Sequence, residues 1–169
     1  MRPTGFLVMG VSGSGKTSVG VALARHLGWD FFDADDFHSP ANISKMAASI
    51  PLTDTDRIPW LILLHHQLEA ALKTGRHPVL ACSALRETYR RQLLDSLNGM
   101  RIIYLKGTYT QINARMSKRD DHYMKPGMLK SQFEVLEEPT DALVIDIDLP
   151  VDEIVLGVLH QCFRDDKLP

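Results

Sequence analysis

Directly after the apolar run Phe6-Leu7-Val8-Met9 the chain reads Gly10-Val11-Ser12-Gly13-Ser14-Gly15-Lys16-Thr17. This matches G-x-x-x-x-G-K-[ST] in the setting the pattern requires, with a strand before it and a helix after it. Val19, Ala22, Leu23 and Leu27, which follow, share one helical face. The stretch constrains the fold tightly because strand, turn and helix must succeed one another without slack. Glycines allow backbone angles and close approach that a Cβ forbids. Successive N–H groups then turn inward at a helix N-terminus, where the helix dipole adds positive potential. Gly10, Val11, Ser12, Gly13, Ser14 and Gly15 form such an anion nest. Lys16 reaches the outer phosphates and Thr17 offers a hydroxyl to Mg²⁺. The implied ligand is a nucleoside triphosphate with magnesium.

Elsewhere, short apolar runs alternate with helical patterns. Leu7–Met9, Phe31–Phe32, Pro78–Ala81, Ile102–Leu105 and Leu143–Ile147 read as strands apolar on both faces, as in a parallel sheet covered by helices. Leu61, Leu64, Leu68 and Leu72 share a helical face, as do Val151, Ile154, Val155, Val158, Leu159 and Cys162. The alternation predicts a doubly wound α/β fold in one domain over residues 1–169. Two segments interrupt it. Residues 34–60 carry Pro40, Pro51 and Pro59, and residues 116–127 read "MSKRDDHYMKPG". They are expected to be a substrate-capturing segment and a lid.

A net charge of -2 gives no general attraction to nucleic acid or to an anionic membrane, so neither partner is expected and any anion site must be local. Cys82 and Cys162 form no CxxC pair, which argues against zinc and a disulfide framework and suits a cytoplasmic protein. The N-terminal stretch is too short for a signal peptide, and no window approaches a membrane span.

Binding a triphosphate does not by itself imply catalysis. An N-K-x-D guanine reader and a D-x-x-G element are both absent, which argues against a GTPase switch. Acids lie instead in "FFDADDFH", Phe31 to His38. Residues two apart on a strand point the same way, about 6.6 Å apart. Asp33 and Asp35 are therefore expected to face one side at the carboxyl end of the sheet, where α/β folds bind ligands. One carboxylate suits magnesium; the other suits an acceptor hydroxyl and its proton. Arg57, in "PLTDTDRIPWL", pairs with Asp54 or Asp56 or else binds a carboxylate ligand bidentately. "CSALRETYR" adds Ser83, Arg86 and Arg90 near the same edge. The set suggests an acceptor bearing hydroxyls and a negative charge.

"MGVSGSGKT", "DADDFH", "NISKMAASIPLTDTDRIPWL", "CSALRETYR", "LKG", "HYMKPGMLKSQFEVLEEP" and "DID", in this order, resemble the gluconate kinase family over nearly the whole chain. The resemblance implies a three-layer P-loop kinase fold like that of shikimate and nucleoside monophosphate kinases: a five-stranded parallel sheet flanked by helices, with a lid. It implies transfer of the γ-phosphoryl group of ATP to D-gluconate by a homodimer. By that resemblance Asp33 is the magnesium-side acid, and Asp35 contacts the sugar hydroxyls and aligns the attacking one. His38, Arg57 and Arg86 bind the gluconate carboxylate and hydroxyls. Arg115 and Arg119, four apart and so on one helical face, divide two tasks, stacking on adenine and neutralising the transferring phosphoryl group. Arg115 is assigned to the nucleotide and Arg119 to the phosphoryl group. Ser49 stands where the family usually has glycine, Arg86 where it usually has lysine, and Asp121 where glycine is common.

Overall fold

The structure, a computed structural model, describes residues 2–118 and 126–163. Its strands are β1 (Gly5–Met9), β2 (Asp30–Asp33), β3 (Pro78–Ala81), β4 (Met100–Lys106) and β5 (Leu143–Asp146). Among the described residues the helices are α1 (Lys16–Leu27), α2 (Pro40–Ala47), α3 (Asp54–Lys73), α4 (Glu87–Leu94), α5 (Tyr109–Ser117), α6 (Pro126–Val135) and α7 (Val151–Cys162). A 3-10 turn, Ala34–Phe37, follows β2. The strands form one parallel sheet in the order β2-β3-β1-β4-β5.

β1 explains why its sequence is apolar without alternation. Phe6 and Val8 enter a core shared with α1 and α7, while Leu7 and Met9 enter a second core shared with α3 and α4. All four are fully buried. Each contributes about 1.5–3 kcal/mol by leaving water. The two cores on either side of the sheet give the three layers. From β1 the chain crosses to β2 on one side and later fills β4 and β5 on the other, which places a ligand crevice at the carboxyl end of the central strand.

The expected strands appear where the apolar runs placed them, with ends shifted by a residue or two; β5 stops at Asp146. The 34–60 segment differs more, because it contains α2 and the start of α3. Ser39 caps α2 by accepting from the Asn42 N–H at 3.2 Å, and Pro40 fills the first helical position, where no N–H is needed. α3 begins at Asp54 under a capping box. The Thr53 hydroxyl accepts from the Asp56 N–H, and the Asp56 carboxylate accepts from the Thr53 N–H. Pro59 therefore lies inside α3. The bond its missing N–H forfeits belongs to the carbonyl of Thr55, an exposed residue in the first turn of the helix. Of the expected lid, residues 119–125 lie outside the described residues, and Arg119 with them.

Candidate active site

The loop from Gly10 to Thr17 closes β1 onto α1. Gly15, at φ 96°, caps the helix in the left-handed region; nothing crowds it, so the backbone angle alone calls for glycine. At Gly13, φ 81°, a Cβ would sit 2.8 Å from Met116 Cγ, so this position needs both the angle and the space. The Gly13 and Gly15 N–H groups have no hydrogen bond among the described residues, and the buried Ser14 hydroxyl has no partner there either. Donors without protein acceptors at a helix N-terminus are what an incoming phosphate satisfies.

Lys16 Nζ donates to the Val11 carbonyl at 3.0 Å, which uses one of its three donors. Burial lowers its pKa; Asp35, Cys82 and Asp33 push it back up. Thr17 Oγ1 donates to Asp33 Oδ2 at 2.8 Å, and Asp33 Oδ1 accepts from the Asp35 N–H at 3.1 Å. Asp33 thus ties the helix of the phosphate loop to the 3-10 turn. Strand alternation does not align the two aspartates, because β2 ends at Asp33 and Asp35 belongs to the turn. Both nevertheless line one cavity of about 170 Å³, together with Ser12, Gly13, Gly15, Lys16, Thr17 and Ser18, and with Ala81, Cys82 and Ser83 at the end of β3. The pKa of Asp35 is raised, first by desolvation and then by Asp33, against the pull of Lys16 and His38. In the open cleft water still reaches this carboxylate, whose side chain is 89% exposed, and screens it until a ligand fills the space. Burial pushes the Cys82 thiol up to about 12, so it is a neutral wall and not a nucleophile. A wider, open groove of about 640 Å³ runs along α1 past Val21, Arg25, His26 and Asp152; it includes Thr17 but none of the loop glycines, Lys16 or the paired aspartates.

Beyond Asp35 lies a second group of side chains. His38 stacks on Trp60 with ring centroids 4.3 Å apart, and Trp60 Nε1 donates to the Ala34 carbonyl at 2.8 Å. The indole therefore fixes the turn that carries Asp35 at both ends. His38 Nε2 lies 4.0 Å from Asp35 Oδ1, its Nδ1 is buried without a partner among the described residues, and burial lowers its pKa. Neither acid offered by the sequence pairs with Arg57. Asp56 binds Lys45 at 2.6 Å, and Asp54 binds Arg86 at 3.2 Å and accepts from the Tyr89 hydroxyl. Arg57 makes no ion pair among the described residues. It donates to the Tyr89 hydroxyl at 3.4 Å, and both guanidiniums lie over the Tyr89 ring, Arg57 at 5.7 Å and Arg86 at 5.8 Å. Arg90 does not join them. It is buried and donates to the Ala84 and Leu85 carbonyls at 3.0 and 3.2 Å, bracing the loop after β3. Arg115 donates to the Ile147 carbonyl and lies 4.0 Å from Asp148, just after β5.

Tyr89, Trp60 and Gln132, which binds Ser12, were not expected as site residues. Each stands inside a block that carried the resemblance, "CSALRETYR", "DRIPWL" and "KSQFEVLEEP".

A phosphate nest that shares its cavity with two aspartates, at the carboxyl end of a five-stranded parallel sheet, defines a phosphate-loop kinase. Residues 12–148 match the shikimate kinase family. A probable gluconokinase of Mus musculus is 42% identical over 178 residues, covering 94% of this chain and 97% of its own. The thermoresistant gluconokinase of Escherichia coli strain K12 is 41% identical over 159 residues, covering 92% and 91%. Among solved structures, a gluconokinase from Sinorhizobium meliloti 1021 has a TM-score of 0.87 at 38% identity, covering 97% of this chain and 94% of that one. The chain belongs to the gluconokinase family, within the shikimate kinase group of phosphate-loop enzymes.

Proposed function

We propose that the protein transfers the γ-phosphoryl group of ATP in line to the C6 hydroxyl of D-gluconate, giving 6-phospho-D-gluconate. One observation carries this reading: charge is ordered along the cleft. Lys16, Asp33 and Asp35 line the cavity at the phosphate loop, His38 Nε2 lies 4.0 Å from Asp35, and Arg57 stands on α3 one turn from Trp60, on which His38 stacks. A ligand lying along that line meets phosphate donors first, a proton acceptor next and a guanidinium last. A polyhydroxy acid presents its groups in that order.

Asp35 orients the attacking hydroxyl and accepts its proton, and an acceptor that displaces water from the cleft lets burial and Asp33 raise its pKa and strengthen it as a base. His38, held by Trp60, bounds the acceptor beside Asp35. Arg57 takes the carboxylate, with Arg86 and Tyr89 alongside. Lys16 and the loop N–H groups meet the charge that builds on the transferring phosphoryl oxygens, joined in this reading by Arg119, while Arg115 contacts the adenine. Catalysis of this kind is mostly positioning and electrostatics. The oxygens of Thr17 and Asp33, 2.8 Å apart, are hard donors of the type Mg²⁺ takes. Bound there, the ion supplies charge neutralisation to the phosphates.

A homodimer and a cytoplasmic location belong to the same proposal. The first is supported by large apolar side chains at the surface, Ile58, Ile62 and Leu63 on α3 among them. The second is supported by two free thiols, Cys82 and Cys162. Light scattering checks the dimer. The decisive test of activity is ADP release with gluconate, its epimers, shikimate and nucleoside monophosphates as acceptors. Gluconate is expected to give the highest kcat/KM. Turnover with shikimate or a nucleotide but not with gluconate overturns the acceptor, and ATP binding without turnover on any of them leaves a nucleotide-sensing module instead.

A further inference from the structure

α6 carries a side chain that the transfer mechanism leaves without a task. Gln132 Oε1 accepts from the backbone N–H of Ser12 at 2.7 Å, and Gln132 Nε2 donates to Ser12 Oγ at 3.1 Å. A carboxamide has one acceptor end and one donor end, so only this orientation satisfies the N–H. Both ends of the amide engage a single residue of the phosphate loop from 120 positions away in the chain. The neighbouring loop residue is braced as well. A Cβ on Gly13 would lie 2.8 Å from Met116 Cγ and 3.2 Å from Ile112 Cγ2, both on α5. Two helices thus converge on consecutive residues of the nest, α6 by hydrogen bonds at Ser12 and α5 by packing at Gly13. Inside the loop, the Ser14 N–H and Lys16 Nζ both bind the Val11 carbonyl, at 3.2 and 3.0 Å. The Ser12 N–H is committed to protein, and the N–H groups left for an anion begin at Gly13.

We propose that Gln132 is a positioning residue for the nucleotide. Its carboxamide fixes Ser12 and so orders the nest before phosphates arrive, which lowers the ordering cost of binding. The proposal rests on the loop being the ATP site, but it does not depend on which acceptor is phosphorylated.

Three variants test it. Gln132→Met keeps length and volume and removes both bonds. Gln132→Glu still accepts from the N–H, and now from the Ser12 hydroxyl, but places a negative charge beside the phosphates. Ser12→Ala removes only the second bond. ATP affinity is measured directly without acceptor, KM is measured for ATP and acceptor separately, and thermal unfolding is recorded for each protein. Gln132→Met is expected to weaken ATP about tenfold, the net worth of roughly two hydrogen bonds, with acceptor KM within about twofold. Ser12→Ala is expected to cost about threefold, and Ser12→Ala combined with Gln132→Met no more than Gln132→Met alone. Gln132→Glu is expected to weaken ATP at low salt and to recover as salt screens the added charge. Unchanged or tighter ATP binding by Gln132→Met overturns the proposal. So does an equal rise in both KM values accompanied by a lower melting temperature, which marks a merely structural bond. If Gln132→Met unfolds before it can be assayed, Ser12→Ala carries the test, and wild-type ATP affinity in that variant overturns it. Because ATP binding is read without acceptor, a failure of gluconate turnover leaves the role of Gln132 open to measurement and is distinguishable from its own failure.

Discussion

At the donor end of the cleft the residues with positive φ are all glycines: Gly10, Gly13 and Gly15, at 146°, 81° and 96°. Around the acceptor end they are Ser49 and Ala84, at 58° and 43°. The donor end is one continuous stretch of chain whose working groups are largely backbone N–H. The acceptor end, as proposed above, is assembled from His38 after β2, Arg57 on α3, and Arg86 and Tyr89 at the start of α4, and its working groups are side chains. Backbone donors at a helix N-terminus hold a phosphate in one geometry. Side chains on three elements can be exchanged singly, without disturbing the backbone that holds the phosphates. In the proposed function this contrast predicts that rate is governed by the donor end and acceptor choice by the other.

If so, the largest effects come from the donor end and fall on kcat. Lys16→Met is expected to reduce kcat about 10²–10³-fold, the cost of removing one preorganised donor to developing charge. Asp35→Asn, at the junction of the two ends, is expected to lose about 10²–10⁴-fold by removing the proton acceptor. Steady-state ADP release reads both, with circular dichroism confirming the fold. A Lys16→Met enzyme with full gluconate-dependent turnover would break the comparison at its stronger end.

Acceptor-end substitutions are expected to fall on KM for gluconate and to leave KM for ATP within about twofold. Arg57→Lys is expected to raise gluconate KM about tenfold or more, because a lysine cannot present the planar fork that a carboxylate accepts. Arg86→Lys is expected to cost only about threefold, since that guanidinium is already shared with Asp54 at 3.2 Å. Equal losses from the two substitutions would show that Asp54 does not distinguish the arginines.

The two ends also differ in how far the sequence reveals them. The phosphate loop and the strands were legible because their causes are local: a glycine pattern, and β1 buried on both faces. α2 and the first turns of α3 were hidden by prolines that read as breakers, although Pro40 occupies the first helical position behind its Ser39 cap. In sequence Arg90 shares an edge with Arg86, four residues before it. Arg86, however, is an extended helix cap at φ −96°, ψ 146°, so helical spacing does not relate the two, and Arg90 turns inward. Trp60 and Tyr89 acquire their roles only when elements 26 and 32 residues apart meet. No local period encodes such a meeting.

Between these kinetic effects and the smallest one lies a stability effect at Asp56, which locks the acceptor segment. It binds Lys45 on α2 at 2.6 Å and closes the capping box of α3. Lys45 first, and then Thr53, lower its pKa from an ordinary 3.8 to about 2. A carboxyl with a depressed folded pKa stabilises the fold above its unfolded value and loses that contribution as pH falls through the folded one. Asp56→Asn is therefore expected to melt below the wild type at pH 7, with the gap closing between about pH 4 and pH 2. Melting curves across that range check it. A gap that stays constant to pH 2 would assign the effect to hydrogen-bond geometry and not to charge.

The smallest effect sharpens the glycine contrast itself. Ser49 ends α2 in a Schellman motif: the Ile50 N–H donates to the Lys45 carbonyl at 2.8 Å, and the Ser49 N–H donates to that of Met46 at 3.0 Å. The position after the cap must be left-handed, and a non-glycine residue there costs about 1–2 kcal/mol. Glycine removes that cost but loses about 0.5–1 kcal/mol more chain entropy on folding. The Ser49 hydroxyl has no hydrogen bond among the described residues, so its removal forfeits none there. Ser49→Gly is thus expected to stabilise the protein by about 0.5–1 kcal/mol, seen as a higher urea midpoint at unchanged slope. kcat and both KM values are expected to stay within about twofold, because the strain lies in the frame of the acceptor segment and not in a group that meets the substrate. A stabilised enzyme with a raised gluconate KM would reverse that assignment: the serine would then be holding α2 in a conformation the acceptor needs, and the strain would belong to recognition.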